Sequence, residues 1–446
     1  MKILWLSLPM LALPALAEPV PVPPGPVLVA QADGATAAAG RPRPAAPTWR
    51  AGVADVLLEA GALPDAPEAD RIAAVRASPF VQWQPDRVWE LRAGLRLEGD
   101  SQDAGASAYT RWRADVGDTY LRWRGGDTRL TVGAQTIVWG RVDEVPLIDR
   151  VSRVDLTRFV LDDLAERRRA QWALRWEQTW DDVKLDAVAL PAFRGARLPS
   201  VESVWSPVNR TTGEVVGIAP SPALAALVQT ASIDDRQADR GVGGLALRLT
   251  RTGEPFDMGL TLARTRQSLP YYRVDTVAGA LIEVHPFHNF VGVDAEWATG
   301  SLTWRTEIGY TAGVPVTLPS TAMSMSDAAE WVGGVEFFPG GGDTRVTLQL
   351  AARSLRTGQS ILELKHYVGA NGEIESSFAQ GRWKAALRFA AGLNVRDTYL
   401  GPKLSFVGWE PHELYLAGHF FSGEARTLGG FHRDHDMIAL GLRTRF

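Results

Sequence analysis

From residue 87 onward, apolar and polar side chains alternate with a period of two over long stretches of the chain. Trp89, Leu91, Ala93, Leu95 and Leu97 interleave with Glu90, Arg92, Gly94, Arg96 and Glu98. Trp172, Leu174 and Trp176 alternate with Ala173, Arg175 and Glu177, and Trp304, Thr306, Ile308 and Tyr310 with Thr303, Arg305, Glu307 and Gly309. Val346, Leu348, Leu350 and Ala352 repeat the pattern against Arg345, Thr347, Gln349 and Ala351. Such alternation marks extended strands with two unlike faces. The polar face keeps returning Arg, Glu and Asp, which a sandwich core would not tolerate and a water-filled lumen would. The pattern predicts an all-β fold, a transmembrane antiparallel β-barrel over 87–446.

Turn chemistry divides the strands. Gly, Asp, Asn and Pro cluster at Arg124-Gly125-Gly126-Asp127, Asp181-Asp182, Thr252-Gly253-Glu254-Pro255, Thr299-Gly300-Ser301, Gly340-Gly341-Gly342-Asp343, Ala370-Asn371-Gly372-Glu373 and Glu410-Pro411-His412, where tight turns are favoured. Much longer connections lie between them, at 140–169, 192–240, 267–286, 313–328 and 422–434. Short turns alternating with long loops fit the periplasmic and extracellular ends of an outer-membrane barrel. The spacing gives about 16 strands, with a range of 14–18 because 107–124 and 376–393 are overlong for one strand each. In the last strand Ile438, Leu440, Leu442, Thr444 and Phe446 share one face. Phe446 is the expected insertion signal, read by the barrel-assembly machinery.

The first 86 residues differ. Met1-Lys2, an apolar run from Ile3 to Leu16 and the small-residue ending Ala15-Leu16-Ala17 have the three regions of a secretory signal peptide, cleaved near Ala17. Residues 18–86 are expected to be a Pro/Ala-rich linker followed by a short periplasmic helical segment. That segment, at 51–76, is suggested by Val53, Val56, Leu57, Ala60, Ile72 and Val75. No other stretch approaches the roughly 18–20 continuous apolar residues of a membrane helix. The expected address is therefore the outer membrane of a Gram-negative bacterium, with outer-membrane lipid as the surrounding partner.

Composition adds little to this. The 446 residues carry a net charge of −4, which predicts no attraction to nucleic acid. Only five of the 47 basic residues are Lys, and Arg is the side chain that holds fixed planar charge in a polar channel. Absence of Cys excludes disulfides and thiolate chemistry. Sixteen Trp suit a protein with two membrane–water interfaces.

One segment carries the candidate site. Between 138 and 169 the chain packs charge densely among apolar residues. Arg141, Asp143, Asp149, Arg150, Arg153, Asp155, Arg158, Asp162, Asp163, Arg167, Arg168 and Arg169 are candidates for lining a lumen constriction, since rings of charge control passage through pores. A solvated surface loop is the alternative.

The run VWGRVDEVPLIDRVSRVDLTRFVLDDLAERR at 138–168, preceded by LTVGAQTI and followed by LDAVALPAFRGARLP, resembles the DUF1302-like outer-membrane proteins, relatives of the alginate-export porins. Trp139, Gly140, Asp143, Asp149, Asp155, Leu156, Phe159, Arg197, Leu198 and Pro199 sit at matching positions. The chain departs from the pattern in its longer Arg run at 167–169. The resemblance covers about 100 residues closely and implies an outer-membrane channel or export portal, with periplasmic export components as partners.

No nucleophile elbow, Walker loop or dinucleotide fingerprint is present, so neither an enzyme nor a cofactor is expected. His432-Arg433-Asp434-His435-Asp436 has metal-ligand residue types but is expected to be a solvated loop tip rather than a metal site. A TonB-dependent transporter would need a larger plug than 18–86 supplies. A non-conducting surface receptor or assembly barrel, and an outer-membrane enzyme acting on lipid, remain alternative readings.

Overall fold

A computed structural model describes residues 47–103, 108–142, 146–236 and 239–446. The expected signal peptide and most of the linker lie outside the described residues, as does Asp143. Eighteen strands close into an antiparallel barrel. They are β1 (Thr48–Ala62), β2 (Arg71–Gln84), β3 (Trp89–Asp103), β4 in two halves (Tyr109–Val116 and Thr119–Gly125), β5 (Thr128–Gln135) and β6 (Gln171–Trp180). There follow β7 (Val183–Leu190), β8 (Gly244–Arg251), β9 (Asp257–Arg266), β10 (Phe287–Thr299), β11 (Leu302–Thr317) and β12 (Met323–Phe337). The last six are β13 (Thr344–Arg356), β14 (His366–Phe378), β15 (Trp383–Gly392), β16 (Asp397–Trp409), β17 (His412–Gly423) and β18 (Met437–Arg445). Each pairs with its neighbour in sequence, and β18 closes on β1 with Leu442 opposite Leu58 and Ile438 opposite Ala62. Closure leaves no unpaired edge, which a strand in lipid requires.

Two expectations are corrected. The segment 51–76 is not a periplasmic helix. It is the hairpin of β1 and β2, so the barrel begins at Thr48 rather than at residue 87 and has eighteen strands rather than about sixteen. Ala370-Asn371-Gly372-Glu373 is not a turn either. It runs through the middle of β14, and the reversal falls at 379–382.

The two faces of the strands follow the alternation. On β3, Leu91, Leu95 and Leu97 project outward while Glu90 and Glu98 are buried in the interior. On β18, Ile438, Leu440 and Leu442 face out while Met437, Ala439 and Arg443 face in. Eighteen strands with an apolar exterior expose far more apolar surface than a soluble protein carries, the pattern of a transmembrane barrel.

The connections segregate by length. At one end lie the short turns, such as 126–127, 181–182, 300–301 and 410–411, together with both ends of the barrel sheet. Aromatic pairs ring this turn end. Trp49 stacks on Trp83 at 5.4 Å, Trp297 on Trp304 at 6.3 Å, and Trp383 sits edge-on to Phe406 at 5.1 Å. Amphipathic rings in that position form the girdle of a membrane–water interface. At the other end lie the long loops 136–170, 191–243, 267–286 and 424–436. The second holds the helix α1 (Pro222–Thr230) and the last the single turn α2 (Leu428–Phe431).

Candidate functional site

The loop 136–170, between β5 and β6, does not extend away from the barrel. It turns inward and crosses the interior. Its first half packs on the wall it leaves. Ile137, Trp139, Ile148 and Val151 form one apolar cluster with Val188, Leu190, Ala246 and Phe290, and Trp139 Nε1 donates to Asp186 Oδ2 at 2.8 Å. Val142 and Leu147 then reach Val332 of β12.

Glu307 of β11 fixes this crossing. Its carboxylate accepts three backbone N–H groups of the loop, from Arg141 at 2.5 Å, Val142 at 3.2 Å and Ile148 at 3.0 Å. One side chain thereby satisfies three donors that burial would otherwise orphan. Gly140 lets the loop come this close. It has φ +100°, and a Cβ there would stand 2.7 Å from Glu307 Oε1.

Most of the charged candidates are paired across the interior. Arg141 reaches Asp294 at 2.6 Å and Asp257 at 3.4 Å, and Arg150 reaches Glu330 at 2.9 Å while lying over the Phe290 ring. Arg158 joins Glu59 of β1 at 2.7 Å and Asp162 at 2.9 Å, and Asp162 joins Arg76 of β2 at 3.0 Å. Burial works against the ionised Asp162, but Arg158 and Arg76 outweigh it and hold the carboxyl well below the usual range. Asp163 faces Arg388, Arg443 and Arg445 between 3.4 and 3.6 Å.

The remaining candidates tie the loop to itself and to its neighbours, β4 and the loop 191–243. Asp149 pairs with Arg168 and accepts the Ser152 N–H at 3.2 Å; burial nevertheless pushes its carboxyl up to about 6. Arg169 pairs with Asp115 at 2.9 Å and donates to the Gly195 carbonyl. Asp155 and Arg197 form a β-bridge, and Arg197 also pairs with Glu98 at 3.0 Å. The Arg167 carbonyl accepts the Asp155 N–H at 2.6 Å. Arg153 lies fully buried over the Phe193 ring, with Nη1 on the Ser152 carbonyl at 3.0 Å, and burial lowers its pKa to about 10. Leu156, Phe159, Leu198 and Pro199 are not in this charged zone and border an apolar cavity at the loop end. Phe446 stands exposed past the end of β18 at the turn end, its N–H on the Ala54 carbonyl at 3.2 Å.

Beside the loop, an open cavity of about 800 Å³ separates it from the β13–β18 wall. Leu161, Asp163, Leu164 and Arg168 line it from the loop. Arg345, Glu373, Lys384, Arg388, Lys403, Glu413, Arg443 and Arg445 line it from the wall. None of these wall residues stood out in the sequence, because each is one polar position in an ordinary alternating strand. Only the loop's inward course makes them its counterparts.

The family model for proteins of unknown function designated DUF1302 matches residues 81–366. The chain belongs to this family. No curated protein matches it in sequence. Among solved structures, OccAB1 of Acinetobacter baumannii is similar at a TM-score of 0.51 and 9% identity, over 89% of this chain and 95% of that one. OccK5 (OpdH) of Pseudomonas aeruginosa is similar at 0.50 and 9% identity, over 89% and 97%. At this identity the likeness is one of fold, a closed antiparallel β-barrel. This DUF1302 member thus has a porin-like β-barrel fold.

Proposed function

We propose that this DUF1302 barrel is a channel whose passage runs between the inward loop and the β13–β18 wall, with the loop setting the constriction. The turn end faces the periplasm and the loop end the outside, in keeping with the short periplasmic turns and longer extracellular loops of outer-membrane barrels. The observation that carries this reading is the lining of the open cavity. Its described residues include eight basic side chains and five acidic ones, arranged around a void.

Excess basic charge in a low-dielectric channel raises the local concentration of anions and disfavours cations. The favoured solutes are therefore small anions or molecules with an anionic group. Reversal potential under a KCl gradient across a planar bilayer is the test. The channel should prefer chloride over potassium. A potassium preference, or the absence of current from inserted protein, contradicts the proposal.

A further inference from the structure

Polar groups inside the barrel are held in two different ways. The solvated tip expected at 432–436 is packed: His432 and His435 are buried, and His432 lies 4.4 Å from the Phe159 ring and 5.6 Å from the Trp205 ring. The cavity beside the inward loop is open, and its acidic side chains are not held alike. Four of the five among its described residues stand on barrel strands, each against a cation. Glu59 meets Arg158 at 2.7 Å, Glu373 meets Arg345 at 2.5 Å, Glu413 meets Lys403 at 2.6 Å and Glu375 meets Lys384 at 3.3 Å. The fifth, Asp163, comes from the loop.

Three arginines of the wall converge on Asp163, and none of them closes on it. Arg443 Nη1 and Arg445 Nη2 stand 3.4 and 3.6 Å from its Oδ2, and Arg388 Nη1 stands 3.6 Å from its Oδ1. Charge-assisted bonds between guanidinium and carboxylate normally close to about 2.7–2.9 Å. Burial works against its charge, but Arg443, Lys403 and Arg388 outweigh it and hold the carboxyl below its usual range. The side chain is nevertheless 49% exposed to the cavity. Glu166, three residues on, is held otherwise: it meets Arg443 at 2.6 Å, Arg445 at 2.7 Å and Arg76 at 3.1 Å. Glu166 therefore ties the loop to the wall, while Asp163 stands before the arginines without bonding them tightly.

A carboxylate free of the loop backbone can approach these arginines to bonding distance, and guanidinium forks suit it in the bidentate manner. Leu161 and Leu164 line the same cavity from the loop and offer an apolar surface to the rest of such a molecule. We propose that Arg388, Arg443 and Arg445 form a binding site for a solute carboxylate, and that Asp163 is a tethered competitor that fills the site until the solute displaces it. This rests on the channel reading only in taking the cavity as the place that solutes enter.

Equilibrium binding of benzoate and of benzamide, its neutral isostere, to the full-length protein in detergent at low ionic strength tests the site without requiring current. The wild type should bind benzoate more tightly than benzamide. Asp163→Asn should tighten benzoate about tenfold, by removing one partly exposed ionic competitor, and leave benzamide unchanged. Glu375→Gln removes the same formal charge from the same lining but does not free the three arginines, so it should tighten benzoate by no more than about twofold. Adding Arg388→Gln to Asp163→Asn should cancel the gain. Because Glu166 still ties the loop, Asp163→Asn should resist trypsin at Arg167 to Arg169 as the wild type does. The proposal is overturned if Asp163→Asn leaves benzoate affinity unchanged, if Glu375→Gln tightens it equally, or if trypsin cuts the Asp163→Asn loop. Benzoate binding of the expected pattern in a protein that carries no current would refute the channel reading alone. Current through a protein that binds no benzoate would overturn this site alone.

Discussion

Arg76 of β2 and Asp162 of the inward loop meet at 3.0 Å, both side chains being almost wholly buried. Arg76 also reaches Asp55 at 3.1 Å and Glu166 at 3.1 Å, so one guanidinium ties the far limb of the loop to the barrel wall. A buried charge pair is costly to break, because the surviving partner keeps its desolvation penalty without its counter-charge. Arg76→Met should thus weaken docking of the loop by about 3 kcal/mol without opening the barrel. Trypsin should then cut at Arg167 to Arg169 in the variant and spare the wild type, while both keep their heat-modifiable migration. Equal cutting rates would contradict the anchoring role.

The near limb depends on Glu307. Replacing it by Ala leaves the N–H groups of Arg141, Val142 and Ile148 buried without an acceptor, a loss of about 1–3 kcal/mol in loop docking. Glu307→Gln keeps one carbonyl oxygen and should lose less. Hydrogen exchange at these three amides should be fastest in Glu307→Ala, intermediate in Glu307→Gln and slowest in the wild type.

Asp149 gives the loop a pH dependence of definite sign. Its folded pKa of about 6 stands above the unfolded value of about 3.9. The folded protein therefore binds this proton more tightly than the unfolded chain does. The resulting stabilisation is fully present below about pH 4 and is lost as pH rises through 6. Asp149→Asn cannot titrate. Wild type should gain stability relative to Asp149→Asn by about 1–2 kcal/mol between pH 7 and pH 5, measured by urea unfolding in lipid vesicles. Taking the difference cancels the histidines, which titrate in both proteins. A gap that stays constant over this range would refute the assignment.

Selectivity should follow the wall charges. Lys403 pairs with Glu413 at 2.6 Å, and Arg388 faces the loop's Asp163 at 3.6 Å. Arg388→Glu and Lys403→Glu together convert two basic lining positions to acidic ones and should move the reversal potential toward potassium. An unchanged reversal potential would place the ion path elsewhere.

The barrel was legible wherever the strands separate lipid from a polar interior. Leu91 and Glu90 announce β3 because one meets acyl chains and the other an ionic lumen. β1 and β2 were misread for a physical reason. The interior face of β1 packs Leu57 against Tyr415 and Ala417, while Leu58 faces outward, so both faces are apolar and the period of two disappears. A register shift between Val53 and Val56 breaks the parity further and mimics a helical spacing. Asn371-Gly372 suggested a turn, yet Gly372 sits mid-strand because a Cβ there would stand 2.2 Å from the Thr347 carbonyl oxygen. The charged loop stood out by composition. Its partners did not, since Arg76, Glu307 and Arg443 become a site only when the sheet closes around it.

Single-channel conductance in planar bilayers tests the central claim most directly, comparing wild type with a protein lacking residues 145–165. The wild type should show discrete steps, and the deletion should enlarge them, since removing the loop widens the narrowest part of the passage. Equal steps would show that the loop does not set the constriction. No current from either protein, both inserted and closed by heat-modifiable migration, would show that this barrel is not an open channel.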